Sequence, residues 1–451
     1  MTVAELLARL KQAFADRQLY LVGGSVRDEL LGREQKDLDF ATDAHPDETR
    51  RRVGKWTSSV WYVGEKFGTV GLLKGGIKAE ITTLRADTYD GVSRKPEVEF
   101  GADITADLSR RDFTVNAMAR DLHTGELLDP FGGRHDLEQR ILRFVGAPAA
   151  RIAEDPLRMM RAVRFCAQLG FELDPATAAA IAQHAAEAQR LSWERLRDEL
   201  DGILLSPRPA EALRLMMHLG LAAHVLPELL SLHLPEPGRY SMKDVLDHSL
   251  ETVELTAPSK SLRYAALLHD IAKPDTYTRD DAGAHFYGHE RLGAEKARTI
   301  LSRLRQPAAF CDEVARLVLH HLRVPSYRSE WTQSAVRRLM YDLGEQLEEA
   351  LALAEADVRA SDPVDLPEFQ VRLQELRRRI QEVGEAAELT RMRPLLNGRE
   401  VMALLGIPPG PRVGQALRFL LNEQIEGRVT TREQALGALR AWAAEQPGSS
   451  R

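Results

Sequence analysis

Residues 19 to 40 (Leu19-Tyr-Leu-Val-Gly-Gly-Ser-Val-Arg-Asp-Glu-Leu-Leu-Gly-Arg-Glu-Gln-Lys-Asp-Leu-Asp-Phe40) admit few folded arrangements. The apolar run Leu19 to Val22 is short enough to be a strand. Gly23-Gly24-Ser25 turns the chain, a helix begins near Val26, and a second strand carries Asp37 and Asp39. Residues two apart in a strand share a face, so both carboxylates project one way while Leu38 enters the core. Paired hard oxygen ligands suit a magnesium pair bridging nucleotide phosphates. The turn supplies backbone N–H groups and the helix start its positive dipole end, a seat for a triphosphate.

A lone acid-x-acid pair carries no weight, because with 67 acids in 451 residues such pairs arise by chance roughly ten times. The combination is specific. Gly23-Gly24-x-x-Arg27-Asp-x-Leu-Leu-Gly32 followed by Asp37-x-Asp39 resembles the first motif of polymerase-beta-type nucleotidyltransferases. Within them it is similar to the bacterial class II tRNA nucleotidyltransferase and poly(A) polymerase family. The resemblance implies an α+β fold: a nucleotidyltransferase sheet domain followed by largely all-α neck, HD and tail domains. It also implies Mg²⁺ as cofactor, CTP and ATP as substrates, and tRNA as partner.

At 451 residues the chain has room for three or four domains. With 44% hydrophobic and 28% charged residues it is ordinary for a folded protein. It has no apolar run of about eighteen residues, and Met1 to Leu10 is an amphipathic start, not a signal sequence. Cys166 and Cys311 sit in apolar helical patterns, which argues against a disulfide framework or a zinc site. The expectation is a cytoplasmic protein with no membrane partner. A net charge of −6 argues against indiscriminate nucleic-acid binding, yet a cleft with its own field still holds a polyanion.

Along the chain, residues 1 to 18 read as one amphipathic helix, and Pro46-Asp-Glu-Thr-Arg-Arg-Arg52 opens another. Val60 to Val63, Thr69 to Leu73 and Lys78 to Leu84 read as strands separated by glycine turns, and Leu84 to Pro96 as a loop. Through the resemblance, Glu80 on the last of these strands is the candidate third carboxylate. Asp107-Leu-Ser-Arg-Arg-Asp-Phe-Thr-Val-Asn-Ala117 resembles the family's second motif without a departure. Arg110 and Arg111 suit phosphate, and Asp112 and Asn116 suit a ribose hydroxyl. Asp112 is also a candidate helix cap. Asp129 to Asp136 closes the first domain with a turn.

Pro156 and Gly170 bracket a helix. Met159, Met160, Val163, Cys166 and Ala167 share its buried face; Arg158, Arg161 and Phe165 lie on another, with Asp155 at its edge. The bland reading is a solvated arginine face. Against it, Glu154-Asp155-x-x-Arg158 ahead of Arg161-Ala-x-Arg-Phe165 resembles the family's nucleotide-selecting motif. The resemblance implies that Asp155 accepts from the exocyclic amine of C or A and Arg158 donates to the ring nitrogen. U or G would leave both unpaired. Asp155 and Arg158, three apart on one helix, are expected to meet one base edge. Arg27 and Arg161 join the nucleotide set with Gly23 and Gly24.

Residues 175 to 230 are helical with arginines at Arg190, Arg195 and Arg197, and Leu232 to Tyr240 marks a boundary. Beyond it, seven of the thirteen histidines fall between His233 and His321. The order His248, His269-Asp270, His289, His320, Asp357 resembles the HD phosphohydrolase domain. A set of His248, His269, Asp270 and Asp357 for a divalent transition metal follows, with His289 and His320 holding a second ion. Pro394 to Pro411 resembles the family's tRNA-binding tail, and Gln446 to Arg451 is a polar end. The expected domains are 1–140 (head), 141–235 (neck), 236–370 (HD) and 371–451 (tail).

The expected activity is template-independent addition of CMP and AMP to the tRNA 3′ end, with a metal-dependent phosphohydrolase in the HD domain. Addition of A alone, poly(A) synthesis, and an HD phosphohydrolase or RNA-binding protein without transfer stand as rivals. Gly64 to Val70 looks more like the tRNA-type Gly-x-x-x-Gly-Thr-Val, and the arginine-rich extensions usual in poly(A) polymerase are absent. The resemblance also implies that the loop at 84 to 100, which CC-only members tend to shorten, disfavours CC-only addition.

Overall fold

The structure, a computed structural model, describes every residue except 35–36, 64–67, 89–96, 102, 235–243, 281–282, 362–363, 385–391 and 446–451. Much of the Gly64 to Val70 segment, residues 89–96 of the expected loop, most of the boundary after Leu232 and the polar C-terminal end therefore lie outside the described residues. Arg85–Thr88, expected as loop, form a strand. Two compact units are present, 1–227 and 228–451. No described helix is long and apolar enough to cross a membrane.

The first unit opens with helix α1, Val3–Ala13, whose Thr2 and Glu5 exchange a capping box. It is shorter than the 18 residues its pattern suggested. Phe14 leaves the helical region, and Arg17 beyond it reaches across to Glu48 at 3.0 Å. Strand β1 (Leu19–Val22), helix α2 (Gly24–Leu30), strand β2 (Asp37–Thr42) and helix α3 (Pro46–Gly54) follow. Helix α2 begins two residues before Val26, because Gly23 at φ +67° turns the chain sharply enough for Gly24 to be helical. Strands β3 (Ser59–Val63), β4 (Thr69–Lys74) and β5 (Ile77–Thr83) then form, followed by a separate ribbon of β6 (Arg85–Thr88) and β7 (Glu97–Phe100). Strands β8 (Ala119–Asp121) and β9 (Leu127–Leu128) complete a seven-stranded sheet in the order β3-β4-β5-β2-β1-β8-β9.

The pair β2 and β5 runs parallel at the centre of this sheet, with Asp39 opposite Glu80. Alternation divides the two faces. Leu38, Phe40, Ala79 and Ile81 pack with Leu6 and Leu10 of α1, Phe14 just after it and Val53 of α3 in one core. Asp37, Asp39 and Glu80, out of phase by one, point to the other face. There Val22, Leu108, Ala117 and Val145 form a second, smaller core.

After α4 (Ile104–Ser109) and α5 (Gly133–Gln139), the rest of this unit is mostly helical: α6 (Pro148–Glu154), α7 (Leu157–Leu169), α8 (Pro175–His184), α9 (Trp193–Leu204) and α10 (Pro209–His218). The second unit contains α11 (Val245–Leu255), α12 (Lys260–Leu268), α13 (His289–Arg303), α14 (Ala308–His320), α15 (Gln333–Leu343), α16 (Leu347–Ser361) and α17 (Leu366–Val383). It closes with helices Gly398–Leu405, Pro411–Ile425 and Arg432–Glu445, which share their own core around Val401, Leu420 and Leu439. The first of these three helices starts at an Asn397/Glu400 capping box and stops at Gly406 in the left-handed region. Cys166 and Cys311 are free and buried.

Candidate functional site

The strand pairing gives three carboxylates one neighbourhood. Asp37 and Asp39 come from β2 and Glu80 from the adjoining position of β5. Lys78, opposite Asp37, holds Glu80 at 2.9 Å. The Ser25 hydroxyl oxygen accepts from the Asp39 N–H at 2.9 Å, and its proton reaches the Asp37 carbonyl at 3.4 Å. Helix α2 thereby fixes the strand that carries the acids, a role the sequence did not disclose. Surrounding protein and then the Glu80 and Asp37 charges push the Asp39 carboxyl above its ordinary value, with Arg111 opposing. A group so placed gains from a cation beside it, so the donor set fits a divalent ion.

A cleft of about 660 Å³ opens beside Asp39, lined by seven arginines against three aspartates. Such an excess of positive charge suits a triphosphate. Gly23 borders it at φ +67°, a left-handed conformation that favours glycine, and a Cβ there would also push on the Arg111 guanidinium, 2.5 Å away. The Gly23 N–H is taken by the Met118 carbonyl at 3.3 Å, so the turn offers fewer donors than its sequence implied. Gly24 lies beside the Arg27 guanidinium.

The second-motif residues are linked to one another. Arg27 Nη1 donates to Asn116 Oδ1 at 2.7 Å, and Asn116 Nδ2 to Asp112 Oδ1 at 3.1 Å. Arg161 then donates to Asp112 Oδ2 through Nε at 2.8 Å and Nη2 at 2.5 Å. Asp112 also accepts from the Phe113 N–H at 2.9 Å, but it is not the cap of the short helical turn Thr114–Asn116, whose N-cap is Phe113 with no side-chain bond. Burial alone would raise the Asp112 pKa; Arg161 and the Asn116 bond hold it below the usual carboxylate range. Arg110 and Arg111 both lean on buried Asp107, at 2.7 and 3.2 Å. Asp107 stood inside the motif without an assigned role, yet it fixes both phosphate candidates.

One expectation needs correction. Asp155 is not on the helix that carries Arg158. It has extended φ/ψ of −149°/100°, sits at the end of α6 and precedes Pro156, because proline disfavours helical geometry in the residue before it. The two side chains have separate partners. Arg158 Nη1 donates to Glu154 Oε2 at 2.6 Å and Nη2 to the Arg110 carbonyl at 2.8 Å. Asp155 Oδ1 accepts from the Leu157 N–H at 3.1 Å and Oδ2 from Arg195 Nη2 at 2.7 Å.

The expected apolar face of α7 is buried at all five positions. Its arginine face is only partly solvated: Arg158 is 7% exposed and Phe165 8%, while the Arg161 side chain is 33% exposed. The guanidiniums of Arg27, Arg161 and Arg164 lie 5.4, 5.4 and 4.5 Å from the Phe165 ring centre. That ring spaces like charges which would otherwise repel. Arg164 is held by buried Glu199 of α9 at 2.6 Å. Arg195 and Glu199, four apart on α9, are the contributors that sequence reading passed over.

The second unit gathers a separate cluster. His248 Nε2 lies 3.1 Å from Asp357 Oδ1 and 3.1 Å from His269 Nε2; His269 Nε2 lies 3.1 Å from Asp270 Oδ2. The other oxygen of Asp270 lies 3.3 Å from His289 Nε2, which is 3.2 Å from His321 Nε2. Two ligand-like triads result: His248, His269, Asp357 and Asp270, His289, His321. His321, not His320, enters the cluster. His320 ends α14 and His321 is rotated from it by one helical step. Partly buried His320 has its pKa lowered by burial and then by the charge of Arg323.

The Nδ1 atoms of His269, His289 and His321 bond the carbonyls of Ala266, Phe286 and Val318 at 2.8, 2.7 and 2.7 Å. With Nδ1 bonded to these carbonyls, the Nε2 atoms face one another and the carboxylates, an arrangement that a shared cation in place of protons satisfies. Burial would lower the His269 pKa, but Asp270 overrides it and raises it to about 9. Burial and the His269 charge push His321 down to about 4. The donor set fits divalent metal.

Residues 19–143 match the family described as the Poly A polymerase head domain. Residues 170–232 match the Probable RNA and SrmB- binding site of polymerase A, and residues 245–362 the HD domain. The chain is 37% identical to the A-adding tRNA nucleotidyltransferase of Deinococcus radiodurans, over 95% of this chain and 96% of that one. It is 35% identical to the CC-adding tRNA nucleotidyltransferase of Thermus thermophilus, over 95% and 94%. The crystal structure of the Bacillus stearothermophilus CCA-adding enzyme in complex with CTP aligns over 99% of both chains, at 29% identity and a TM-score of 0.71. With this agreement over nearly the full length, the chain belongs to the tRNA nucleotidyltransferase family.

Proposed function

We propose that this protein adds CMP and AMP from CTP and ATP to the 3′ end of tRNA without a nucleic-acid template. The observation that carries the reading is one cleft joining Asp39, an arginine-rich wall and the pair Asp155 and Arg158. Asp37 and Asp39, with Glu80 as third carboxylate, hold Mg²⁺, which when bound stabilises charge developing on the transferred phosphate. Gly23 and Gly24 let the triphosphate approach the backbone, while Arg110 and Arg111, braced by Asp107, neutralise it. Asp112 and Asn116 position the ribose. Asp155 and Arg158 read the base edge, each leaving its present protein partner in part as the base arrives.

The decisive assay is incubation of tRNA lacking its last three nucleotides with each labelled nucleoside triphosphate alone. Addition of CTP alone, followed by ATP, is the expected result; equal use of UTP or GTP would reject the reading. Addition of A alone is the second reading, favoured by the 37% identity to an A-adding relative. In that case tRNA ending in CC accepts ATP, and tRNA lacking CC takes no CTP.

In the second unit, His248, His269, Asp270, His289, His321 and Asp357 hold one or two divalent transition metals that support hydrolysis of phosphate esters. The expected domain limits at 140, 235 and 370 remain part of this proposal.

A further inference from the structure

The arginine triplet Arg50-Arg51-Arg52 has no part in the transfer cleft. Three consecutive helical residues fan over about 200°, and α3 sends them to different places. Arg52 turns toward α1 and is neutralised by Asp16 at 2.6 Å and Glu48 at 2.6 Å. Arg50 lies over the Tyr62 ring at 5.0 Å, and Arg51 points into a cleft of about 890 Å³ between α1 and α3. Arg9, Lys55 and Trp56 also line this cleft, with the Arg9 guanidinium 5.9 Å from the Trp56 ring centre. A second cleft, lined by Asp47, Arg50 and Tyr62, shares Arg51 and Lys55 with the first, and the Tyr62 hydroxyl donates to Asp47 Oδ1 at 2.6 Å. Among the described residues, Arg9, Arg50, Arg51 and Lys55 make no ion pair.

Helices α1 and α3 pack on the Leu38 and Phe40 face of the sheet, so this tract lies across the sheet from Asp37 and Asp39. The clefts also hold two acids, Asp47 and Glu48, of which Glu48 is already paired with Arg17 and Arg52. The four cations without an ion pair outnumber them, on a chain of net charge −6, and so make a site for a polyanion. The two aromatic rings select among polyanions. Nucleobases offer flat π surfaces to Trp and Tyr beside a phosphate every residue, whereas an acidic peptide makes no use of the rings. The adjoining clefts favour a strand over a single nucleotide.

We propose that the α1–α3 face binds single-stranded RNA, with phosphates at Arg9, Arg50, Arg51 and Lys55 and bases against Trp56 and Tyr62. The full chain is titrated against a fluorescent unstructured 12-mer oligoribonucleotide with excess tRNA present, at several salt concentrations. The triple variant Arg9→Gln/Arg51→Gln/Lys55→Gln is expected to bind at least tenfold more weakly, with a log–log salt slope shallower by about 2. Trp56→Leu keeps an apolar contact with the core but loses the flat ring, and should weaken binding several-fold. Nucleotide addition by both variants stays at the wild-type rate, since none of these residues lines the transfer cleft. Triple-variant binding within twofold of wild type at unchanged slope would overturn the proposal. So would displacement of the oligomer by tRNA, or polyglutamate binding that matches RNA while Trp56→Leu has no effect.

Discussion

The carboxylate of Asp155 is held by the guanidinium of Arg195 at 2.7 Å, while Arg158, three residues on, is held by Glu154 at 2.6 Å. The two base-reading candidates are thus each braced by a neighbour of opposite charge. Bracing aims Asp155 and leaves its second oxygen with a single backbone donor.

Base choice tests this arrangement. Arg158→Ala should lower addition of C and A by roughly tenfold to hundredfold and relax exclusion of U and G, because each unpaired buried group costs about 1–3 kcal/mol. Arg195→Ala should blur selection in the same direction but more weakly, since it acts through Asp155. Single-nucleotide incorporation ratios measure both. Loss of rate with unchanged ratios would assign these residues to structure alone.

The carboxylate pair is tested by Asp39→Asn. Removing a metal-binding charge at the leaving pyrophosphate should cost about 4 kcal/mol, roughly a thousandfold in rate, with tRNA affinity retained. Single-turnover transfer within about tenfold of wild type would contradict the assignment. Glu80→Gln should show a smaller loss in the same assay, because Lys78 already engages that carboxylate.

Two adjacent histidines give a sharp contrast in the second unit. His321→Ala should lower bound Mn²⁺ or Ni²⁺ measured by elemental analysis, and His320→Ala should leave it unchanged. The double variant His269→Ala/Asp270→Ala should remove the metal and any phosphate-ester hydrolysis while nucleotide addition persists. Wild-type protein free of metal after supplementation would refute the cluster's role.

Asp112 gives a pH signature. Its folded pKa lies below the ordinary value, so its ionised form stabilises the fold above about pH 4, and that contribution fades as pH falls through the folded pKa. Asp112→Asn leaves Arg161, a third exposed, with Glu199 at 4.0 Å as its remaining acid and should cost about 1–2 kcal/mol near neutrality. The melting difference from wild type should stay flat above about pH 5 and shrink in acid. A difference that grows on acidification would show that the pair does not act this way.

Along the chain, local chemistry determined a great deal. A short apolar run, a double glycine and an alternating acid strand place β1, α2 and β2, because turn and strand preferences are set by neighbouring residues. The motifs Arg110 to Asn116 and Glu154 to Phe165, through the family they resemble, pointed to residues that line the arginine-rich cleft, and the order of histidines to the buried His/Asp cluster. Only tertiary structure decided which groups pair. Asp155 leaves the helix of Arg158 at Pro156 and meets Arg195 from 40 residues away. Asp107, Glu199 and Ser25 act by bracing residues that the motifs expose. His321 enters the cluster where His320 does not, because one helical step of about 100° separates inside from outside and adjacent identical residues give no phase. The same rotation neutralises Arg52 and leaves Arg50 and Arg51 bare. Such choices depend on which distant side chain completes each buried charge, and a burial cost of that kind is settled only once the elements have packed.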